Sequence, residues 1–224
     1  MLELQDRGVH SIGLVSPSHF VPQIVRAVEL AARGGLRLPL VYNTNAYDAV
    51  NVLTLLDGIV DIYLPDLKYA EEEFGYSYSK VRNYPAVARA AIREMHRQVG
   101  DDLVTGDDGL VRRGLIIRHL VLPNDLAGSA DSLRWVKDTL GNGVTVSVMS
   151  QYYPTHAAVS TPLLDRVVRE REYERVLEML DRLEMHHGWI QEFESSSYYR
   201  PSFENRDQPF VGDISNEAET KESP

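Results

Sequence analysis

The chain has 224 residues, 33 of them acidic and 23 basic, for a formal net charge of −10. That length suits one domain with a real core, and the acidic balance argues against a nucleic-acid binder, which needs clustered Lys and Arg. No apolar run approaches the roughly 20 residues of a membrane helix, the N-terminus lacks the basic-then-apolar order of a signal peptide, and there is no cysteine for disulfides or thiolate ligands. A cytoplasmic protein is expected.

Residues 1–6 read as a helix with no cap ahead of it and Gly8 behind it, which suggests a chain that opens inside a larger fold. A strand is expected at 11–15, then an amphipathic helix over 20–33 closed by Gly34-Gly35. A second strand at 38–42 and helix at 47–56 follow, with a third strand at 59–64. After a polar, tyrosine-rich stretch, a long helix is expected over 85–99, with Pro85 at its first turn. Gly106-Asp107-Asp108-Gly109 reads as the turn of a hairpin insertion within 101–113. The strongest strand lies at 115–122. Ser129 is expected to cap a helix through 140, followed by a fifth strand at 144–149 and a last helix at 170–186. Residues 1–212 are expected to form the domain, with 213–224 a polar, disordered tail.

Bare apolar strands alternating with helices indicate a parallel sheet covered by helices. An open doubly wound sheet and a (β/α) barrel both fit. Neither G-x-G-x-x-G nor G-x-x-x-x-G-K appears, so nucleotide-binding open sheets lose weight and a barrel or part-barrel is favoured.

In such folds chemistry gathers at the carboxyl ends of the strands. The first strand here runs into Ser16-Pro17-Ser18-His19, the second into Asn43-Thr44-Asn45, the third into Asp66-Leu67-Lys68, and the fifth into Ser150-Gln151-Tyr152. Ser16-Pro17-Ser18 and Asn43-Thr44-Asn45 also suit ordinary turn and cap chemistry, and Asp66 with Lys68 suits a surface ion pair. Arg118 is different, because a charge inside an apolar strand must be paired or face a polar cavity. Alternation puts Arg118 and His119 on opposite faces. If Arg118 faces the lumen, His119 packs against helices and cannot join its site.

Tyr42-Asn43-Thr44-Asn45-Ala46-Tyr47, Asp61-Ile62-Tyr63-Leu64-Pro65-Asp66-Leu67-Lys68 and Arg118-His119-Leu120-Val121-Leu122-Pro123, in that order, resemble the radical S-adenosylmethionine superfamily in its pyruvate formate-lyase activating branch. Gln151-Tyr152 and Arg200-Pro201-Ser202-Phe203 extend the likeness, which runs from Met1 to about Phe210. The resemblance implies a partial (β/α) barrel, here without its first strand. It implies a site for S-adenosylmethionine at Asn43, Thr44, Asn45, Asp66, Lys68 and Arg118, with Gln151 at the last strand. Ser16, Ser18 and His19 stand where most members have G-G-E-P. Asn43 and Ala46 depart from the family's D-T-N-G, whereas Asp66 and Lys68 match its D-x-K.

The implied reaction is reductive cleavage of the cofactor to a 5′-deoxyadenosyl radical. Its implied partner is a glycyl-radical enzyme or another protein substrate. The four-iron four-sulfur cluster that supplies the electron needs three cysteines of a C-x-x-x-C-x-x-C loop, and this chain has none. The resemblance therefore implies a truncated gene product, a fragment, or one half of a split enzyme completed by a separate cluster-bearing chain, in each case unable to cleave the cofactor alone. Two other readings compete: a barrel metal hydrolase using His19, Asp66 and His156, and a non-catalytic remnant. The barrel reading predicts that Asn43, Asp66, Arg118 and Gln151 converge on one cavity and that the first strand leaves an open edge.

Overall fold

The computed structural model describes residues 1–193. Its elements in chain order are α1 (Leu2–Asp6), β1 (Ile12–Val15), α2 (Val21–Arg33), β2 (Leu40–Thr44), α3 (Val50–Leu53), β3 (Ile62–Pro65) and α4 (Glu72–Ser79). There follow α5 (Tyr84–Val99), β4 (Val104–Thr105), β5 (Val111–Leu120), α6 (Ser129–Leu140), β6 (Thr145–Met149), α7 (Glu170–Arg182) and β7 (Gly188–Ile190). The domain boundary at 212, the tail at 213–224 and the Arg200-Pro201-Ser202-Phe203 motif lie outside the described residues.

Among the described residues the strands form one seven-stranded sheet. Six run parallel in the order β1-β2-β3-β5-β6-β7, and β4 pairs antiparallel with β5 as the expected hairpin. The order never reverses, so the sheet winds one way, as in a barrel, and has no switch point of the doubly wound kind. Among the described residues it does not close: β1 pairs only with β2, and β7 only with β6. The fold is thus an open, mostly parallel α/β sheet, and among the described residues no strand pairs with the outer edge of β1.

Alternation along each strand sorts the two faces. Leu40, Tyr42 and Thr44 of β2, Leu115, Ile117 and His119 of β5, and Val146 and Val148 of β6 are buried. They join the core with Leu53, Leu56, Ile92, Met95, Leu133 and Val136 from α3, its 3₁₀ continuation, α5 and α6. Full burial of each such apolar side chain contributes about 1.5–3 kcal/mol. The alternate residues, Val41 and Asn43, Leu64, Ile116, Arg118 and Leu120, and Ser147 and Met149, are only half-buried. One face therefore carries the helices, and the other is open enough to hold a site.

The start of α6 differs from the sequence expectation. Gly128, not Ser129, is the N-cap, at φ +60°, and a Cβ there would stand 2.7 Å from Ala70 Cβ. Asp125 Oδ1 accepts the Ser129 amide at the first turn, so a side chain ahead of the helix, not the Ser129 hydroxyl, meets one of its free amides. That hydroxyl is engaged by His119 instead.

Candidate functional site at the carboxyl edge of the sheet

Asn43 is on β2, Asp66 lies one residue past β3, and Arg118 is on β5, so three adjacent strands converge here. Register places them together: Asp66 forms a parallel bridge with Arg118 beyond the last ladder pair of β3. Arg118 Nη2 donates to Asn43 Oδ1 at 2.7 Å and lies 2.5 Å from Asp66 Oδ1. Lys68 Nζ donates to the other carboxylate oxygen, Asp66 Oδ2, at 2.7 Å. One carboxylate thus sits between two cations, and the three carry a net positive charge.

The cluster is not fully satisfied. Arg118 Nε, shielded from water, donates to no acceptor among the described residues, and Asp66 Oδ1, at ion-pair distance from Arg118, lacks hydrogen-bond alignment. The Asp66 side chain is 13% exposed and that of Arg118 27%. Buried polar atoms ordinarily find partners. A buried donor without an acceptor, beside a carboxylate shared by two cations, is chemistry suited to the charged end of an amino acid.

His119 points the other way, as alternation required. It is 1% exposed, with Nδ1 2.8 Å from the Leu67 carbonyl and Nε2 2.8 Å from Ser129 Oγ. A carbonyl can only accept, so Nδ1 carries the proton and Nε2 accepts the serine hydroxyl. Burial, the leading cause, lowers its pKa below the ordinary value.

The first two strand ends are fastened to each other beneath the site. The Ser16 amide donates to the Asn43 carbonyl at 2.8 Å, with Ser16 in the left-handed region at φ +50°. Tyr42 and Thr44 each donate a hydroxyl to the buried carboxylate of Asp48, and Ser18 bonds the Tyr42 phenol. Burial, followed by the Asp48 charge, raises the Tyr42 pKa, so its proton stays on. Thr44 Oγ1 also accepts the Ala46 amide, and Asn45 Oδ1 that of Tyr47. Ser18, Thr44 and Asn45 therefore shape the loops around the cluster. Tyr42 and Asp48 were missed by sequence reasoning, because a tyrosine and an aspartate six residues apart carry no signal until a turn brings them together.

Three expected residues stand apart. Gln151 accepts from Gln191 at 3.1 Å and its amide faces Met149 Sδ, so it ties β6 to the chain after β7. No hydrogen bond or ion pair joins it to Asn43, Asp66 or Arg118 among the described residues. His19 is exposed and stacked against Phe20. His156 is exposed in the 3₁₀ turn His156–Ser160. Among the described residues no three His, Asp or Glu side chains are grouped as metal ligands, so His19, Asp66 and His156 do not make the hydrolase site that the competing reading required.

The backbone is similar to the crystal structure of a domain of pyruvate-formate lyase-activating enzyme from Bacteroides vulgatus, with a TM-score of 0.57 over 82% of this chain and 100% of that one. Identity is 12%, so the likeness is one of fold. Over 146 residues the chain is 35% identical to an uncharacterized protein of Methanocaldococcus jannaschii, spanning 65% of this chain and 38% of that protein. No family model matches. The activating-enzyme-like fold explains why the polar residues gather where they do: parallel strands wound one way deliver all their carboxyl ends to one edge, and Asn43, Asp66 and Arg118 are successive neighbours along it.

Proposed function

We propose that this chain is the S-adenosylmethionine-holding part of a radical S-adenosylmethionine barrel of the pyruvate formate-lyase activating type, acting in the cytoplasm. The observation that carries the reading is the Asn43–Arg118–Asp66–Lys68 cluster, with its unpaired Arg118 Nε donor, on the half-buried face of a sheet with that fold. Lys68 and Arg118 would meet the carboxylate of the cofactor's methionyl end, and Asp66 its ammonium. When bound, this cofactor supplies radical chemistry on one-electron reduction of its sulfonium. The residues of this chain bind and orient it.

The iron–sulfur cluster does not fit these residues. There is no cysteine in the 224 residues, and no step of the reduction is assigned to them. The electron donor would be a cluster held by cysteines outside these 224 residues, and the radical's acceptor a glycyl-radical enzyme or similar protein substrate.

Charged hydrogen bonds contribute about 1.5–3 kcal/mol each, so after association costs a few of them leave about −4 kcal/mol, or a Kd near 1 mM. Calorimetric titration of the chain with S-adenosylmethionine tests this. Lys68→Met and Arg118→Leu should each weaken binding at least tenfold. Absence of binding, or binding indifferent to both substitutions, would overturn the reading.

A further inference from the structure

Tyr84 opens α5 and belongs to none of the motifs at the strand ends, yet its phenol reaches two of the loops that follow them. It is 3% exposed. Its oxygen accepts the Lys68 amide at 3.0 Å and lies 2.8 Å from the Asp66 carbonyl and 3.0 Å from the Asn45 carbonyl. A phenol has a single proton, shared here between those two carbonyls. One buried oxygen thus joins the chain after β2 to the chain after β3.

Asp66, Leu67 and Lys68 are held by three successive amides on three different elements. The Asp66 amide donates to Thr44 O of β2 at 2.9 Å, and the Leu67 amide to Arg118 O of β5 at 2.8 Å. The Lys68 amide donates to Tyr84 of α5. The first two bonds prolong the sheet, as a parallel ladder does. The third leaves the sheet, and it fixes where Lys68 departs from the backbone to meet Asp66 Oδ2. The ring is seated independently of its hydroxyl, parallel to Tyr47 with centroids 6.4 Å apart and edge-on to Tyr69 at 5.6 Å. Burial, the leading cause, raises the Tyr84 pKa, so the phenol stays protonated.

We propose that Tyr84 is a positioning residue, whose hydroxyl locks the turn after β3 so that Asp66 and Lys68 present a fixed carboxylate–ammonium pair to the amino-acid end of a ligand. The inference rests on the function proposed above and adds to it a residue outside the strand-end motifs. Ligand affinity then depends on a side chain that never touches the ligand.

Tyr84→Phe removes the hydroxyl and keeps the ring. In the ligand-free chain, amide hydrogen exchange should accelerate at least tenfold at Lys68, with slow amides of the distant strands β1 and β6 unchanged. In a parallel titration S-adenosylmethionine should bind at least tenfold more weakly than to the wild type, at an unaltered circular dichroism spectrum. An unchanged Lys68 amide, acceleration spread evenly over the sheet, or full affinity despite a freed Lys68 amide would each overturn the proposal. Should the wild type bind no S-adenosylmethionine, the proposed function fails by itself, and the exchange pattern alone then decides whether Tyr84 fixes the turn.

Discussion

Asp66 is the residue on which the candidate site turns, because it is the shared counter-charge of Lys68 and Arg118. Asp66→Asn leaves two cations side by side with no counter-charge, which should lower the unfolding free energy by about 1–3 kcal/mol. Adding Arg118→Gln removes the repulsion, so the double variant should lose less than the sum of the singles, as denaturant titration will show; strict additivity would mean the groups are not coupled. His119 sets a second expectation. Held neutral in the fold below its ordinary 6.5, it takes up a proton more readily when unfolded, so its contribution is complete above about pH 6.5 and is lost as pH falls below that value. Stability should drop by up to about 1.4 kcal/mol per pH unit there, and the drop should be smaller in His119→Gln. The cluster residues were legible in the sequence because a charge inside an apolar strand and a D-x-K at a strand end are local patterns. Tyr42, Asp48 and Tyr84 were not, since Tyr84 meets Asn45 and Asp66 across 39 and 18 residues, and such separations leave no periodicity. Gln151 carried the same strand-end signal as the others, but it is engaged by Gln191.

At the scale of elements, strands and helices with strong apolar periodicity fell where the pattern put them, with shifts at their ends. β2 and β3 each begin two or three residues later than their apolar runs, because Pro39 precedes β2 and Asp61, which precedes β3, gives a carboxylate oxygen to the Leu40 amide. Two elements escaped. α4, Glu-Glu-Phe-Gly-Tyr-Ser-Tyr-Ser, is polar and weakly amphipathic, and tertiary contacts of Phe74 and Tyr78 with the core hold it. β7 is only Gly188-Trp189-Ile190, too short for alternation to register. α7 owes its placement to Glu172 in its first turn, which accepts both Arg166 nitrogens and the amides of Asn124 and Arg169. Those bonds, the Arg166 contact first, hold its pKa down from 4.5 to about 2. Its contribution is therefore present above about pH 4.5 and is lost as pH falls toward 2. Glu172→Gln should cost about 1–3 kcal/mol at pH 7 and flatten the acid limb of the stability profile; an unchanged acid limb would contradict this.

For the whole molecule, a parallel sheet gathers its polar strand ends at a single edge, and under the proposed function the absence of cysteine from these 224 residues separates binding from electron supply. Among the described residues no helix is long and apolar enough to cross a membrane. The chain spans 38% of the length of its Methanocaldococcus jannaschii relative. With iron, sulfide and dithionite supplied, this chain alone should yield no 5′-deoxyadenosine from S-adenosylmethionine; a stoichiometric yield would show a cluster held without thiolates. The central claim is a location, and nuclear magnetic resonance of the isotope-labelled chain titrated with S-adenosylmethionine tests it most directly. Amide shifts should change at Asn43 to Asn45, Asp66 to Lys68 and Arg118. Two cavities lie elsewhere: one of ≈ 610 Å³ between α6 and α7, lined by Val121, Ser129, Arg175 and Met179, and one of ≈ 410 Å³ beside Asp102, His187 and Trp189. Shifts confined to either cavity, or none at saturating cofactor, would contradict the account.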